Sequence, residues 1–470
     1  MKVGKILPLV LLGFIYSTFL SAQVGIGTDN PDPSSILDIQ SSTQGLLAPR
    51  MTTVERLAIP NPADGLLVYD TDDNRFYYYD TDGASWDKIL TDDKTRDNYV
   101  LVKSEADFPP PTGGKIVLAT NTLYEINGLV TISNPINLNG AYLIGIDTNE
   151  DIIDGNGGTI FSGEGGSVRN ITLTAGAGGT VFDIDGGGTG SYIMQSSVIR
   201  DSGNVGTIQN CALIFMNVIQ YLGNANGITY SNSGNLFLNN QGWFGSNGGV
   251  YETVTGSFNL IEKVSGFSQV IGATAALDIT GVTTISGDAV LQSVVFYGGG
   301  NYVNGNSPYT GYNFPKDWSV NCPGIPVETD DTATGNLYFV NAPIVVLNNG
   351  TPIRLPVNTT DVRMFRAGTG GSSNRIVYEG SKTRALNVFG SISFTAIANM
   401  RVTFSLYKNG TLVPGTQVVY DVADTNGRQG LSIIGTVVVN PTDYIEIYVE
   451  RDTGSGSNQF LVTSYNLLVN

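Results

Sequence analysis

The chain is 470 residues long, 41% hydrophobic and only 14% charged, with 59 glycines, no histidine and a formal net charge of −17. That length fits roughly two to four domains, and the composition excludes a charge-rich coiled coil and an apolar-poor disordered chain. The acid excess disfavours nucleic acid and anionic lipid as partners, and the missing imidazole removes Ser-His-Asp triads, His-ligated zinc and histidine bases.

Residues 1–22 read as an export signal. Lys2 and Lys5 precede an apolar run from Leu7 to Leu20, and Ser21-Ala22 supplies small residues before a cut at Gln23. The run is shorter than the ~20 residues of a membrane-spanning helix, and no cysteine follows it for a lipid anchor. The expectation is a secreted or cell-surface protein without membrane insertion. The bland alternative is a buried N-terminal helix. Two cysteines, Cys211 and Cys322, are too few for a disulfide scaffold; they fit two buried thiols or one bridge.

Residues 23–98 read as a small β-rich module. Asn30-Pro31 and Asp32-Pro33 force turns, Thr52 or Thr53 can cap a short helix over TTVERLAI, and LLVYDT and RFYYYD make a hairpin around Asp72-Asp73-Asn74. The Asp-rich runs lack the full calcium-loop grammar and fit solvated turns. Val24–Thr28, Pro31, Ile36–Ile39, Gly45–Arg50, Met51, Arg56, Gly65–Asp70 and Tyr77–Tyr79 together resemble a module of secreted surface and tail-fibre-like proteins of the Bacteroidetes, especially flavobacteria. The resemblance implies attachment or trimerisation, and no chemistry.

Residues 99–335 alternate short apolar runs with Gly/Asn/Ser turns, an all-β signature. Apolar runs recur from Val168 to Met194, Ile208 to Leu236 and Leu236 to Leu260, near the coil length of a right-handed parallel β-helix. The spacing is irregular, and a pair of β-sandwiches is the alternative. The Pro-rich stretch from Phe108 loosely resembles the entry of secreted and phage-tailspike β-helices. Asp183 and Asp185 in VFDID are the weak catalytic candidates, since alternation puts both on one face of a strand, where two carboxylates could serve a glycosidase. The alternative is a pair of solvated strand-end acids. Bases are too sparse for a polyanion lyase. Trp243 and Phe244 in a Gly-rich stretch are candidates for stacking on sugar rings, or for covering the core.

Residues 336–470 alternate cleanly, with Val388, Gly390, Ile392 and Phe394 on one face and a Lys408-Asn409-Gly410 hairpin turn. Eight or so strands in this length fit a C-terminal jelly-roll β-sandwich. The stretches Arg375–Arg384, Tyr407–Thr411 and Gly435–Glu450 resemble the trimeric, tumour-necrosis-factor-like jelly roll of phage fibre tips and secreted adhesins. That resemblance implies a homotrimer. Arg375, Lys382 and Arg384 could contact an anionic sugar, or serve as solvated or intersubunit ion-pair residues.

The combined expectation is an all-β, exported, fibre-like adhesin or receptor-binding protein. Its expected partners are two further copies of itself and a surface glycan or receptor, with no cofactor and no metal. The rivals are a polysaccharide depolymerase on the β-helix and a structural surface protein without a specific ligand.

Overall fold

The computed structural model describes residues 23–89, 98–396, 399–423, 427–453 and 459–470; the expected export signal lies outside the described residues. The chain forms two compact units, residues 1–97 and 98–470.

In the first unit, Val24–Ile26 pairs in parallel with Leu37–Ile39. Arg50–Met51 pairs with Leu67–Asp70, which forms the expected hairpin with Arg75–Asp80, and Ser85–Lys88 adds a further strand. Thr53–Leu57 is helical, closed by a Thr52–Glu55 capping box. Arg56 is buried, its Nε 2.9 Å from Asp70 Oδ2, its guanidinium 3.8 Å from the centre of the Tyr77 ring. The acidic turns hold their own backbone: Asp70 Oδ1 accepts the Asp72 and Asp73 N–H groups. Few apolar side chains are buried here, Ala48, Val68 and Tyr77 among the described residues, while Ile36, Leu46, Leu47, Val54 and Leu57 are exposed. A unit this apolar on its outside is built to be covered.

Burial alone would raise the Asp70 carboxyl, but the Arg56 guanidinium, the Asp73 N–H, the Thr53 hydroxyl and the Asp72 N–H outweigh it and hold it at about 2. A depressed carboxylate contributes stability that is fully present above its unfolded value of ~3.9 and is lost as pH falls toward the folded one. Hydrogen-exchange protection of residues 67–80 should therefore fall between pH 4 and about 2. Arg56→Ala should lower that protection at neutral pH by roughly 3–5 kcal/mol, because it leaves a buried carboxylate unpaired.

The second unit begins with a parallel β-helix, which excludes the sandwich alternative for this stretch. Three parallel sheets wind about one core. In the first, the inward ladder runs Val100, Tyr124, Leu143, Val168, Met194, Met216, Leu238, Lys263, Leu291, Val320. The second runs Val130, Ile153, Leu173, Ile199, Tyr221, Trp243, Ser268, Phe296. The third runs Ile116, Ile136, Phe161, Phe182, Gly206, Ile228, Glu252, Leu277, Val303. No coil buries these side chains alone, so stacking is the source of stability. Gly206 stands in the third ladder because a Cβ there would lie 2.0 Å from the Phe182 carbonyl oxygen.

From Val168 onward, successive first-sheet partners are 26, 22, 22, 25, 28 and 29 residues apart. Val168 and Met194 are therefore true neighbours. Ile208 and Leu236 are not: Ile208 sits in the third sheet beside Tyr230, Leu236 in the first. Leu236 pairs with Ile261, one residue beyond Leu260. The irregular sequence spacing arises because single strands wrap corners; Val250–Val270 serves all three sheets. The corner after the first sheet repeats as Asn170, Ser196, Val218, Asn240, Ser265 and Ser293, each with φ between 50° and 62°, a left-handed conformation that Asn tolerates best. Buried amides stack at another corner, where Asn224 donates to the Ile199 carbonyl and to Asn247, and Asn247 to the Tyr221 carbonyl.

Both cysteines are free and buried, and burial pushes the Cys211 thiol up to about 11. Trp318 lies on the last rung and packs on Phe314, ring centres 5.1 Å apart.

The C-terminal part is a two-sheet antiparallel sandwich over its own core. One sheet has the order 358–365, 334–341, 459–469, 384–396, 429–439; the other has 367–368, 376–378, 444–453, 400–408, with 418–422 also paired to 400–408. Asn409 and Gly410, both at positive φ, make the hairpin turn. Arg366 ties sandwich to β-helix: its guanidinium donates to Asp330 Oδ1, to the Trp318 carbonyl and, at 2.9 Å, to the Glu328 carbonyl. Tyr312 stacks on Phe365 with ring centres 3.9 Å apart, and the Tyr309 hydroxyl donates to Glu379 at 3.1 Å. No helix among the described residues is long and apolar enough to cross a membrane.

Candidate functional site

Alternation along the third sheet turns its polar side chains outward, and the parallel register stacks them. The ladder reads Ser162, Asp183, Thr207, Thr229, Thr253, Asp278, Asn304, with rungs ~4.8 Å apart. A second row, Thr159, Thr180 and Asn204, runs beside it. Between them lies an open groove of about 620 Å³, lined also by Asn226, Thr229 and Thr253. Asp183 is the one titratable group among its described lining residues, and it accepts the Ser162 hydroxyl at 2.9 Å. Farther along, Asp278 accepts the Thr280 N–H and hydroxyl at 2.9 and 2.6 Å and the Asn304 amide at 3.1 Å. Burial raises its carboxyl, but these bonds outweigh that and hold it below the ordinary value.

Asp185 belongs to a different hollow. It lines a cleft of about 830 Å³ with Glu164, Asn139, Tyr142 and the turn from Gly186 to Gly190. It accepts the Gly187 N–H and the Asn210 amide, each at 3.0 Å, and the Gln209 amide at 3.3 Å. Those bonds, the Gly187 N–H first, lower its carboxyl from the ordinary value. Asp183 and Asp185 thus share a strand face yet line separate hollows. Hydrolysis of a glycosidic bond uses two carboxylates flanking it, and the third-sheet groove supplies one. Glu164 was not legible as Asp185's cleft partner, because only the coil register brings it there.

The aromatic pair divides by alternation. Trp243 is 0% exposed, stacked on Tyr251 with ring centres 4.4 Å apart inside the core, so it presents no surface for a sugar. Phe244 points outward, half-buried, its ring edge-on to Phe267 at 4.9 Å, with Tyr297 next along. In the sandwich, Arg375 is spent within the chain: it pairs with the buried Glu446 at 2.8 Å and lies over Tyr444 at 4.0 Å. Arg354 reaches the same carboxylate oxygen at 3.1 Å. Arg384 donates to the Asp330 carbonyl. Lys382 is exposed.

Residues 25–103 match the model of the phage tail-like trimerisation region, so the chain carries such a region in its N-terminal part. No curated protein matches the chain. Similar solved structures include murine APRIL at pH 8.5, 11% identical over 29% of this chain and 98% of that chain, with a TM-score of 0.21. Eiger TNF from S. frugiperda is 12% identical over 29% of this chain and 92% of that one, TM-score 0.21. The enzymatically active domain of bacteriophage CBA120 tailspike protein 4 is 11% identical over 90% of this chain and 77% of that one, TM-score 0.22.

Proposed function

We propose that this chain is an exported, fibre-like adhesin or receptor-binding protein that self-associates as a homotrimer and recognises a surface glycan without cleaving it. The N-terminal module attaches and trimerises. The β-helix is the shaft, and the sandwich, whose strand order suits a jelly roll, is the tip. The apolar residues exposed on the first unit and the matched trimerisation region support self-association. The observation that carries recognition is the third-sheet ladder: hydroxyls, two carboxylates and an amide repeating at rung spacing, a row of donors and acceptors suited to a periodic, polar chain. Bound to a glycan array, the mature chain should give a signal that Thr229→Arg weakens at least tenfold (about 1.4 kcal/mol or more). An array silent at every concentration would leave a structural surface protein.

One observation favours a second reading: Glu164 and Asp185 share the other cleft with Tyr142. A depolymerase there would release reducing ends from a polysaccharide, lose that release in Glu164→Gln, and keep it in Asp183→Asn.

A further inference from the structure

The sandwich differs in charge from the rest of the chain. Residues 336–470 hold ten Lys and Arg against eight Asp and Glu, within a chain of net charge −17. Two of its guanidiniums converge on one buried carboxylate. Arg375 Nε and Nη2 each lie 2.8 Å from Glu446 Oε1, and Arg354 Nη1 lies 3.1 Å from the same oxygen. One carboxylate balances only one of the two cations, so the trio keeps a surplus positive charge. Arg354 carries it outward: its side chain is 40% exposed, and its other N–H groups meet no acceptor among the described residues. It opens on a hollow of about 880 Å³ with Asn358, Ser372 and Ser373 on its walls and no acid among its described lining residues. That volume lies within the range of small-ligand sites. The wall is fixed by the buried Asn374, which donates to the Leu355 and Ile447 carbonyls at 3.0 Å each. Tyr448 stands opposite Arg354 in the ladder, hence on the same face, and stacks on Tyr407 with ring centres 3.9 Å apart.

We propose that this hollow binds the carboxylate of an acidic sugar, a uronic or sialic acid carried on a surface glycan. With Nη1 on Glu446, the Nε–Nη2 edge of Arg354 is left for the two oxygens of a carboxylate, a match that a guanidinium makes and an ammonium does not. The Ser372 and Ser373 hydroxyls and the Asn358 amide offer donors and acceptors for ring hydroxyls. Arg375 and Arg384 are spent within the chain; Arg354 is the cation that a hollow exposes. The site is separate from the third-sheet groove, whose one titratable lining residue is Asp183, so a carboxylate is repelled there and attracted here. It therefore goes beyond the recognition proposed above, adding a second place and a charged class of ligand.

The test is titration calorimetry on the full mature chain with trigalacturonic acid and sialyllactose. Each is compared with a neutral counterpart, the methyl ester of the first and lactose for the second. At least one acid should bind tenfold or more tighter than its counterpart. Arg354→Ala, which leaves Glu446 paired with Arg375, should weaken that binding at least tenfold. Ser372→Tyr, which fills the hollow and keeps the Arg354 contact with Glu446, should do the same, so the result does not hang on one variant's folding. Lys382→Ala, which removes an exposed cation elsewhere on the sandwich, should leave it unchanged. Equal affinity for acid and neutral forms, equal affinity for inorganic sulfate, no heat from either acid at millimolar concentration, or full binding in Arg354→Ala and Ser372→Tyr would overturn the assignment. A neutral-glycan signal that Thr229→Arg weakens would survive each of those results, so recognition by the third sheet stands or falls separately.

Discussion

Lys263→Met should destabilise the β-helix by roughly 3–5 kcal/mol, because it strands a buried carboxylate. Lys263 stands on the inward ladder of the first sheet between Leu238 and Leu291, and Glu252 on that of the third between Ile228 and Leu277. Their charged groups meet at 2.9 Å, 4% and 0% exposed. The second Glu252 oxygen has no hydrogen-bond partner. Burial raises the Glu252 carboxyl, with Lys263 opposing that rise. A carboxyl whose folded value lies above its unfolded ~4.3 binds the proton more tightly when folded, so stability falls as pH rises through that interval. Without Lys263 the interval widens. The variant's urea midpoint should therefore lie near that of the wild type around pH 4 and well below it at pH 7. The double variant Glu252→Leu with Lys263→Met should recover the loss or exceed the parent, since a well-packed apolar pair avoids desolvating two charges. A single variant as stable at pH 7 as the parent would remove the pair from any account of the core.

Arg366→Leu should uncouple the sandwich from the last β-helix rung. The guanidinium is 2% exposed and joins Asp330, the Trp318 carbonyl and the Glu328 carbonyl. Removing it takes one donor from Asp330, which keeps the Ser381 and Lys382 N–H groups, one from the Glu328 carbonyl, which keeps the Val320 N–H, and the guanidinium bond from the Trp318 carbonyl, at roughly 1–3 kcal/mol for a buried group left unpaired. Calorimetry should resolve an earlier transition for the sandwich, and protease should cut between residues 323 and 333 faster than in the parent. Arg366→Lys should not restore the parent behaviour, since an ammonium cannot present a planar fork to three acceptors. An unchanged single transition in Arg366→Leu would show that the Tyr309 and Tyr312 contacts suffice.

The sequence-readable parts were those governed by local chemistry. The Thr52–Glu55 cap, the hairpin at Asn74 and the Asn409-Gly410 turn follow from residues within a few positions of one another. The all-β class follows from short apolar runs between Gly/Asn turns, and the coil length was legible where one strand stayed in one sheet, as at Val168 and Met194. It failed at Ile208, where strands bend round corners and sequence distance no longer measures rungs. The candidate residues fared by the same rule. Alternation alone divides Trp243 from Phe244, although nothing local says which of the two faces inward. Glu446 sits on the polar phase of its strand, yet it is 1% exposed because Arg354 and Arg375 reach it from segments far away in the chain.

By itself, then, the sequence determined the elements, because backbone preference and alternation act over a few residues: strands, turns and the glycine-dense coil. Only the tertiary structure decided the juxtapositions, because the register of stacked coils is set by how side chains from distant rungs fit together. That register separates Asp183 from Asp185, brings Glu164 to the latter, buries Lys263 against Glu252, and stacks the polar side chains of the third sheet into one ladder.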